Sequence, residues 1–404
     1  MDTKWLAELL KMDYCDSEPV EIIGAEMEQG AFDGGHYQSS ITRVKMRYLT
    51  PSKRLKTSSM IHKNLLNHMD IQGHEMVQFT TEVRMYNRAL KNMEALMDEF
   101  NDKRRTLWPK FYGCRDNREI VVEDLKNQNY EKLDRTKWVD LDHALLVLRS
   151  IGRFHAMSKI LLERRVITEE DGYEKCWYGT NNLMKRKFFP GALHMLSQAM
   201  TNRSGFWPAG WENVAERIRA QIPTICEATE ALVLDYNKDF EVLNHGDLWT
   251  PNIMFEHNMD CAGSPVGVKF IDYQTPHLNS FILDVMYFLH GSVRPSVRRG
   301  HKNQLLEAYH RSLSDNLNFF GYSEYVPTLD DVISEDKRFL PLAFSIVCST
   351  MPLASSSSTK PFDLKKLFKC PPEEAFDGTS FTEEKIVKEI CDDLTEFVRL
   401  GVIY

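Results

Sequence analysis

The first third of the chain alternates apolar and polar residues with a period of two, which predicts β-structure. Residues 42–48 place apolar side chains at every second position. Residues 59–63 are predicted to form a short strand that ends at Lys63, and residues 119–125 form an apolar strand that runs into a polar connection. These segments predict a sheet in the N-terminal part of the chain.

Between and beyond these strands the apolar spacing changes to three and four residues, which predicts helices. The first stripe consists of Phe79, Val83, Tyr86, Leu90, Met93, Met97 and Phe100. Glu82 lies beside this stripe, where it could face inward toward a lysine. A second helix is predicted over residues 141–155, and the chain then stays helical to about residue 236, with breaks predicted at 189–191 and 207–210.

Three further helical segments are predicted towards the C-terminus. One passes through residues 282–289, and residues 340–354 read as a buried helix, or a helix and a turn. A final helix is predicted to start near Ser380, with Glu383 completing a capping box. The order of elements predicts an α+β protein with a protein-kinase-like two-lobed fold. Its β-rich N-lobe would span residues 1–125 and its helical C-lobe residues 126–404.

Composition excludes several other classes of protein. The chain has 404 residues, 43% hydrophobic and 27% charged, with a formal net charge of −8, so the basic stripe typical of nucleic-acid binding is not expected. Eight scattered cysteines without a CxxC pair indicate neither a disulfide framework nor a zinc site. The N-terminus lacks the pattern of a signal peptide, and no stretch reaches the roughly 18 apolar residues of a membrane span. We therefore expect a cytoplasmic protein without a membrane partner.

The strongest chemical signal is the segment His245-Gly246-Asp247, followed by Asn252 and, after a predicted hairpin, by Asp272. An Asp can accept the proton of a substrate hydroxyl, while an Asn and a second Asp can hold Mg²⁺ against nucleotide phosphates. A lone His-Gly-Asp triplet occurs in many proteins, but the complete spacing is much rarer. The pattern predicts phosphoryl transfer from ATP, with Asp247 as catalytic base and Asn252 and Asp272 as metal ligands.

Other candidate residues depend on this constellation. Lys63 is expected to contact the nucleotide phosphates and to pair with Glu82. The Gly34-Gly35 turn is either a phosphate cradle or a plain hairpin turn. Glu123 and Leu125 mark a hinge whose backbone would pair with the adenine edge.

Several residues read as structural. His155 on an apolar helix face is predicted to be a core histidine, and Asp284 to cap a helix or hold the catalytic loop. Aromatic residues could line an apolar acceptor pocket or belong to the core; they are Trp177, Tyr178, Phe188, Phe189, Phe206, Trp207 and Trp211.

Together these motifs resemble the insect ecdysteroid kinase-like proteins, relatives of choline kinases and aminoglycoside phosphotransferases. The matching features are Gly34 with Tyr37 and Ser39, Lys63, Glu82 with Tyr86, residues 122–125, residues 154–156, His245 to Trp249 with Asn252, Asp272 to Gln274, and Asp284 with residues 287–289. The resemblance implies a protein-kinase-like fold, ATP and Mg²⁺ as cofactors, and phosphorylation of a small-molecule hydroxyl on an ecdysteroid or a xenobiotic alcohol.

Two positions depart from the pattern of these relatives. His36 stands where an Asn is expected in the glycine-rich turn, and Gln274 stands where choline kinases carry a Glu. A choline- or aminoglycoside-type kinase is the alternative enzyme, and a non-catalytic ligand-binding protein on a kinase fold is the alternative from another class. The sequence names neither the acceptor nor the oligomeric state.

Overall fold

The computed structural model describes residues 2–13, 20–29, 39–65, 74–173, 183–258 and 263–404. After helix α1 (Thr3–Asp13) come the strands of an antiparallel sheet: β1 (Glu21–Gln29), β2 (Ser39–Leu49), β3 (Leu55–Leu65), β4 (Phe111–Arg115) and β5 (Glu119–Glu123). The strand order is β1-β2-β3-β5-β4. The predicted strands at 42–48 and 59–63 are confirmed, and the one predicted at 119–125 is confirmed as far as Glu123; β3 lies between the other two in this sheet.

A helical segment packs beside the sheet and carries Glu82. It consists of α2 (His74–Arg84), a π-helical turn at Met85–Leu90, and α3 (Lys91–Glu99). The apolar stripe predicted here is buried: Phe79 is 1% exposed and Met93 is fully buried. A π turn accommodates one more residue than an α turn, so it changes the rotational relation between α2 and α3.

The remainder of the chain is mainly helical. Its helices are α4 (Leu141–Glu163), α5 (Leu183–Thr201), α6 (Glu212–Leu234), α7 (Ile282–Gly291), α8 (Pro295–Phe319), α9 (Leu329–Arg338), α10 (Leu340–Cys348), α11 (Thr350–Ser355), α12 (Leu364–Lys369) and α13 (Glu384–Arg399). Its short strands are β6 (Tyr130–Glu131), β7 (Glu241–Asn244), β8 (Ile253–His257), β9 (Pro265–Phe270) and β10 (His277–Ser280). The predicted catalytic hairpin is β8–β9, flanked by β6, and β7 pairs with β10. The predicted division into a sheet-rich N-lobe and a helical C-lobe is confirmed, while the boundary at residue 125 stays a prediction.

The central helix α4 is buried on nearly every side and packs closely on α8. Gly152 lies at the contact, where an added Cβ would meet the Tyr309 carbonyl oxygen at 2.9 Å and the Leu313 nitrogen at 3.1 Å. Backbone atoms cannot give way as side-chain ends can, so this glycine sets the distance between the two helices.

We expect Gly152→Ala to destabilise the protein by about 1–3 kcal/mol, because the extra methyl group overpacks the α4–α8 contact. Urea unfolding monitored by circular dichroism measures this loss. The matched control is Gly300→Ala on α8, where nothing lies within 4 Å of the added Cβ. That change should be neutral or stabilise by up to about 1 kcal/mol through helix propensity. Equal midpoints for Gly152→Ala and the wild type would contradict the packing argument.

The break predicted at 189–191 is wrong, because α5 continues through Pro190. Phe188 and Phe189 are buried, and Phe188 packs against Phe362 and Phe376 with ring centroids 5.2 and 5.5 Å apart. Burial of these rings offsets the hydrogen bond that a proline removes from a helix. The break predicted at 207–210 is confirmed, since α5 and α6 are separated there.

The capping box predicted at the final helix is also wrong. Ser380 lies in a 3₁₀ turn, α13 begins at Glu384, and Glu383 makes no side-chain cap bond. Its carboxylate instead accepts hydrogen bonds from the Ser356 hydroxyl and the Ser357 N–H, both at 2.7 Å. Glu383 is therefore used to hold a tertiary loop rather than its own helix.

Within the described part of the chain, no single helix has the length and apolar composition needed to cross a membrane. One pair, α9 with the segment Leu340–Ser355, meets the criterion only when its two parts are joined across a 58° bend.

Candidate active site

The catalytic loop runs from the end of β7 to the start of β8. Gly246 adopts a φ of 83°, and any Cβ at this position would overlap the Thr275 carbonyl group. Only glycine fits both the left-handed backbone and this contact. The following residue, Asp247, is thereby presented at the turn of the loop.

Asp284 at the start of α7 holds the loop by accepting hydrogen bonds from its backbone. It is 1% exposed and accepts hydrogen bonds from the His245 N–H at 2.6 Å and the Gly246 N–H at 2.9 Å. The His155 ring lies 3.1 Å from the same carboxylate, and its other nitrogen lies 2.8 Å from the Tyr309 hydroxyl. Burial raises the pKa of Asp284, but the bond and charge of His155, the charge of His245 and the Gly246 N–H outweigh it, and the net shift is downward. Asp284 holds the catalytic loop, and His155 is a core histidine with both nitrogens engaged.

The Asp247 carboxylate is oriented by two neutral donors. The Asn252 amide donates to Oδ2 at 2.8 Å, and the Tyr287 hydroxyl donates to Oδ1 at 3.2 Å. Burial, followed by the charge of Asp272, raises the pKa of Asp247 to about 7, although the hydrogen bonds of Tyr287 and Asn252 act in the opposite direction. A carboxylate with its pKa near neutrality is suited to accept a proton from a hydroxyl group.

Asp272 follows β9 and lies between the two lobes. Its φ of 68° is left-handed, which Asp tolerates better than most residues. Its Oδ1 lies 2.5 Å from the Lys63 Nζ, and the same Nζ lies 2.6 Å from the Glu82 Oε2. The structure therefore brings a lysine of the sheet, a glutamate of α2 and an aspartate of the catalytic hairpin into one cluster.

Lys63 and Glu82 are buried, Asp272 is partly exposed, and the ammonium group contacts both carboxylates. Burial lowers the pKa of Lys63, but Asp272 and Glu82 raise it by more, so that Lys63 stays protonated. The pKa of Glu82, which is 3% exposed, is raised by burial and by Asp272 against the attraction of Lys63. Glu82 and Asp272 together hold the ammonium group in place.

The predicted hinge lies beside an apolar patch. Leu125 is buried in a small cluster with Tyr130 and Met254, against which Ile271 packs. Glu123 ends β5, and its N–H donates to the Lys110 carbonyl group at 2.9 Å. Because Ile271 directly precedes Asp272, the apolar patch adjoins the Lys63 cluster. Gly34 and Gly35 lie outside the described residues.

The part of the chain that contains these residues matches a known protein family. Residues 33–322 match the sequence model of the ecdysteroid kinase-like family. The chain belongs to the ecdysteroid kinase-like family. The match contains every candidate residue discussed above, from Gly34 to Tyr287, and membership supports a small-molecule phosphotransferase.

Among solved structures, this ecdysteroid kinase-like chain is similar to an aminoglycoside phosphotransferase from Streptomyces rimosus. The two are 12% identical, the match covers 85% of this chain and 99% of the other, and the TM-score is 0.28. Because a TM-score this low supports no argument, the assignment depends on the family match and on the geometry of the site. No curated protein matches the chain.

The described residues offer Mg²⁺ a small set of protein oxygens. No group of three or more His, Cys, Asp or Glu side chains among them is arranged to hold a metal ion. Magnesium usually keeps several waters and takes only one or two carboxylates beside the substrate phosphates. Asp272 would supply a carboxylate and Asn252 its amide oxygen, since the amide nitrogen donates to Asp247. This donor set fits a metal that arrives with a nucleotide.

In this ecdysteroid kinase-like chain, Tyr287 belongs to the candidate site. The sequence had indicated it only as one of the features shared with the family. Its hydroxyl reaches Asp247 because it lies three residues after Asp284, on the same face of α7. That spacing was available in the sequence, but the position of α7 beside the loop was not.

The aromatic acceptor pocket considered from the sequence is mainly core. Phe188, Phe189 and Trp207 are 8%, 3% and 4% exposed, and the Trp207 indole donates to the Phe381 carbonyl group at 2.7 Å. Phe206 is 58% exposed. Trp177 and Tyr178 lie outside the described residues.

Proposed function

We propose that the protein is an ATP- and Mg²⁺-dependent phosphotransferase that phosphorylates a hydroxyl group of a small apolar molecule, an ecdysteroid or a xenobiotic alcohol. The observation that carries the proposal is the joint placement of Asp247, Asn252 and Asp272 next to the Lys63–Glu82 pair. The proposed setting is the cytoplasm, which supplies ATP and keeps thiols reduced.

In this proposal Asp247 acts as the base. Its carboxylate accepts the hydroxyl proton, the substrate oxygen forms a bond to the γ-phosphorus of ATP, and the bond from that phosphorus to the β–γ bridging oxygen breaks to release ADP. Tyr287 and Asn252 hold the carboxylate in one orientation by their hydrogen bonds. Asp272 and Asn252 would hold Mg²⁺, which would neutralise charge on the phosphates.

Lys63 and the hinge would bind the nucleotide. Lys63 would donate to phosphate oxygens while Glu82, which its ammonium group contacts at 2.6 Å, would fix its direction. The apolar cluster around Leu125 offers a surface for the adenine ring, with hydrogen bonds from the backbone near Glu123. Gly34 and Gly35 remain proposed phosphate contacts.

A neutral acceptor is favoured by the charge of the site. Gln274 is an amide where choline kinases carry a carboxylate, and its Nε2 lies 3.5 Å from Glu82. The carboxylates of Glu82 and Asp272 are engaged by Lys63, which reduces their attraction for a cationic substrate. These observations support an apolar alcohol over choline or an aminoglycoside.

An ATP-consumption screen with Mg²⁺ tests the proposal. Ecdysteroids, phenols, glucosides, choline and an aminoglycoside serve as acceptors, and phosphorylated products are identified by mass spectrometry. We expect wild-type protein to phosphorylate a steroid or xenobiotic alcohol. If only choline or the aminoglycoside is phosphorylated, the acceptor is of the choline or aminoglycoside type and not an apolar alcohol. If ATP binds in a Mg²⁺-dependent manner but no acceptor is phosphorylated, the non-catalytic binding protein is favoured.

We expect Lys63→Met to lower kcat/KM for ATP by about 10²–10³-fold, because one charge-assisted donor to the phosphates is lost. Initial rates at varied ATP concentration measure the change. Lys45→Met is the matched control, since Lys45 lies on the adjacent strand and forms an exposed ion pair with Glu28 at 2.7 Å. It should leave kcat/KM unchanged, and equal losses in both variants would remove Lys63 from the nucleotide site.

A further inference from the structure

A buried carboxylate lies in the middle of the proposed hinge and takes no part in the function proposed above. Asp124, at the centre of residues 123–125, is 4% exposed. Its Oδ2 accepts hydrogen bonds from the Arg43 Nε at 2.7 Å and from the Ser59 hydroxyl at 2.6 Å. Its Oδ1 accepts from the Arg43 Nη2 at 3.4 Å and from the Lys126 N–H at 3.3 Å. One side chain therefore connects the hinge to β2, to β3 and to the turn that follows it.

The partners of Asp124 lie on the face of the sheet that carries Lys63. Ser59 and Lys63 are four residues apart on β3, so their side chains point to the same side. The register of β2 against β3 places Arg43 opposite Ile61, which lies between Ser59 and Lys63 and shares their face. Asp124 contacts both Arg43 and Ser59 and therefore reaches this face as well. A nucleotide that extends from Lys63 to the hinge would run along it.

The Arg43–Asp124 pair is shielded from water and has two points of contact. The two side chains are 18% and 5% exposed. Glu28 lies 3.6 Å from the Arg43 Nη1, but its side chain is 50% exposed, so Asp124 is the closer and better shielded partner. A forked pair of charge-assisted hydrogen bonds fixes direction as well as distance. The pair thus holds the hinge at one position on the sheet.

We propose that Arg43, Ser59 and Asp124, called the hinge network below, are positioning residues for an adenine nucleotide. The inference rests on the proposed function, in which the hinge contacts the base and Lys63 the phosphates. Base and phosphates belong to one molecule, so both contacts form together only when the hinge and Lys63 are correctly spaced. The hinge network sets this spacing, because Ser59 shares a strand with Lys63 and Asp124 lies within the hinge. A preorganised site loses less free energy to ordering when its ligand binds.

Titration calorimetry with ATP and Mg²⁺, with adenosine and with inorganic tripolyphosphate tests the inference, because adenosine has only the nucleoside end and tripolyphosphate only the phosphate end. The main variant is Arg43→Leu/Asp124→Ser, which removes both charges together and leaves neither one buried without its partner. Serine keeps a cap for the 3₁₀ turn Leu125–Gln128, where Asp124 accepts from the Lys126 N–H. This double variant should bind ATP and adenosine at least about tenfold more weakly than wild type, with unchanged affinity for tripolyphosphate.

Two single variants separate the hinge network from general effects on the sheet. Ser59→Ala removes one hydrogen bond, so it should weaken the binding of ATP and adenosine by a smaller factor of about two to five. Arg47 is an exposed arginine on the same face of β2 and lies outside the hinge network. Arg47→Leu should leave all three affinities unchanged. Thermal unfolding of each variant checks that it is folded at the temperature of the titration.

Each contrary outcome has a distinct meaning. A double variant that binds ATP as tightly as wild type would overturn the inference, because the hinge network would then stabilise only the sheet. Equal losses of affinity for all three ligands would overturn it as well, because they would indicate a disturbance of the whole sheet and not of the position of the base. Wild-type protein that binds none of the three ligands would overturn the proposed function itself, so the two failures are distinguishable.

Discussion

Asp247→Asn should lower kcat by roughly 10²–10⁴-fold while the protein stays folded. The amide keeps the shape of the carboxylate, its oxygen can still accept from Asn252, and its NH₂ group faces the Tyr287 hydroxyl, which can turn to accept from it. The amide cannot take a proton from the substrate hydroxyl. Steady-state phosphorylation of an acceptor found in the screen measures the loss. Wild-type kcat in this variant would remove Asp247 from the mechanism.

The stability of the same variant provides an independent control. Since the pKa of Asp247 is raised from 3.8 to about 7 on folding, its ionisation progressively destabilises the wild type as pH rises between those two values. Asn carries no charge, so Asp247→Asn should have a Tm at pH 8 that equals or exceeds that of the wild type. Lost activity with a much lower Tm would instead indicate that the variant is misfolded.

Asp284→Ala should destabilise the protein by roughly 3–5 kcal/mol and also abolish most activity. The change leaves the buried N–H groups of His245 and Gly246 without an acceptor and separates His155 from its carboxylate. Because the same bonds position Asp247, the residual folded protein should have a reduced kcat as well as a lower unfolding midpoint. Urea unfolding and rates corrected for the folded fraction measure the two effects.

A surface aspartate with similar bonding is the control for Asp284. Asp363 accepts from the Lys365 and Lys366 N–H groups at 2.9 and 3.2 Å and caps α12, but its side chain is 21% exposed. Asp363→Ala should cost only about 1 kcal/mol, because water can replace the lost acceptor. Similar losses in the two variants would show that burial of the Asp284 contacts is unimportant.

The parts of the site that are close in sequence were predictable, and the contacts between distant segments were partly so. Asp247 and Asn252 are separated by one short turn, so their spacing alone placed them together. The pairing of Lys63 with Glu82 is confirmed, but it was predictable only in the context of the Asp247 constellation, because a lysine on a strand and a glutamate on a helix are ordinary features by themselves. The close contact of Lys63 with Asp272 depends on how the lobes meet, which no local pattern encodes.

The wrong predictions share a physical cause. Pro190 breaks a helix by its own chemistry, and Ser380 with Glu383 matches a capping box by spacing, but tertiary contacts overrode both local preferences. The packing of Phe188 on Phe362 stabilises α5 through Pro190. The Glu383 carboxylate accepts a hydrogen bond from Ser356 in a loop instead of capping α13. A single sequence shows the local preference and not the partner that competes with it.

The π-helical turn at Met85–Leu90 has an evolutionary consequence. A π turn corresponds to one residue inserted into an α-helix. Deleting one residue there would regularise the helix and rotate α2 against α3 by about 100°. After such a deletion, either α3 would keep its present packing or Glu82 would keep pointing toward Lys63, but not both. A shortened homologue would be expected to gain a more regular helix and lose its nucleotide site in a single genetic event.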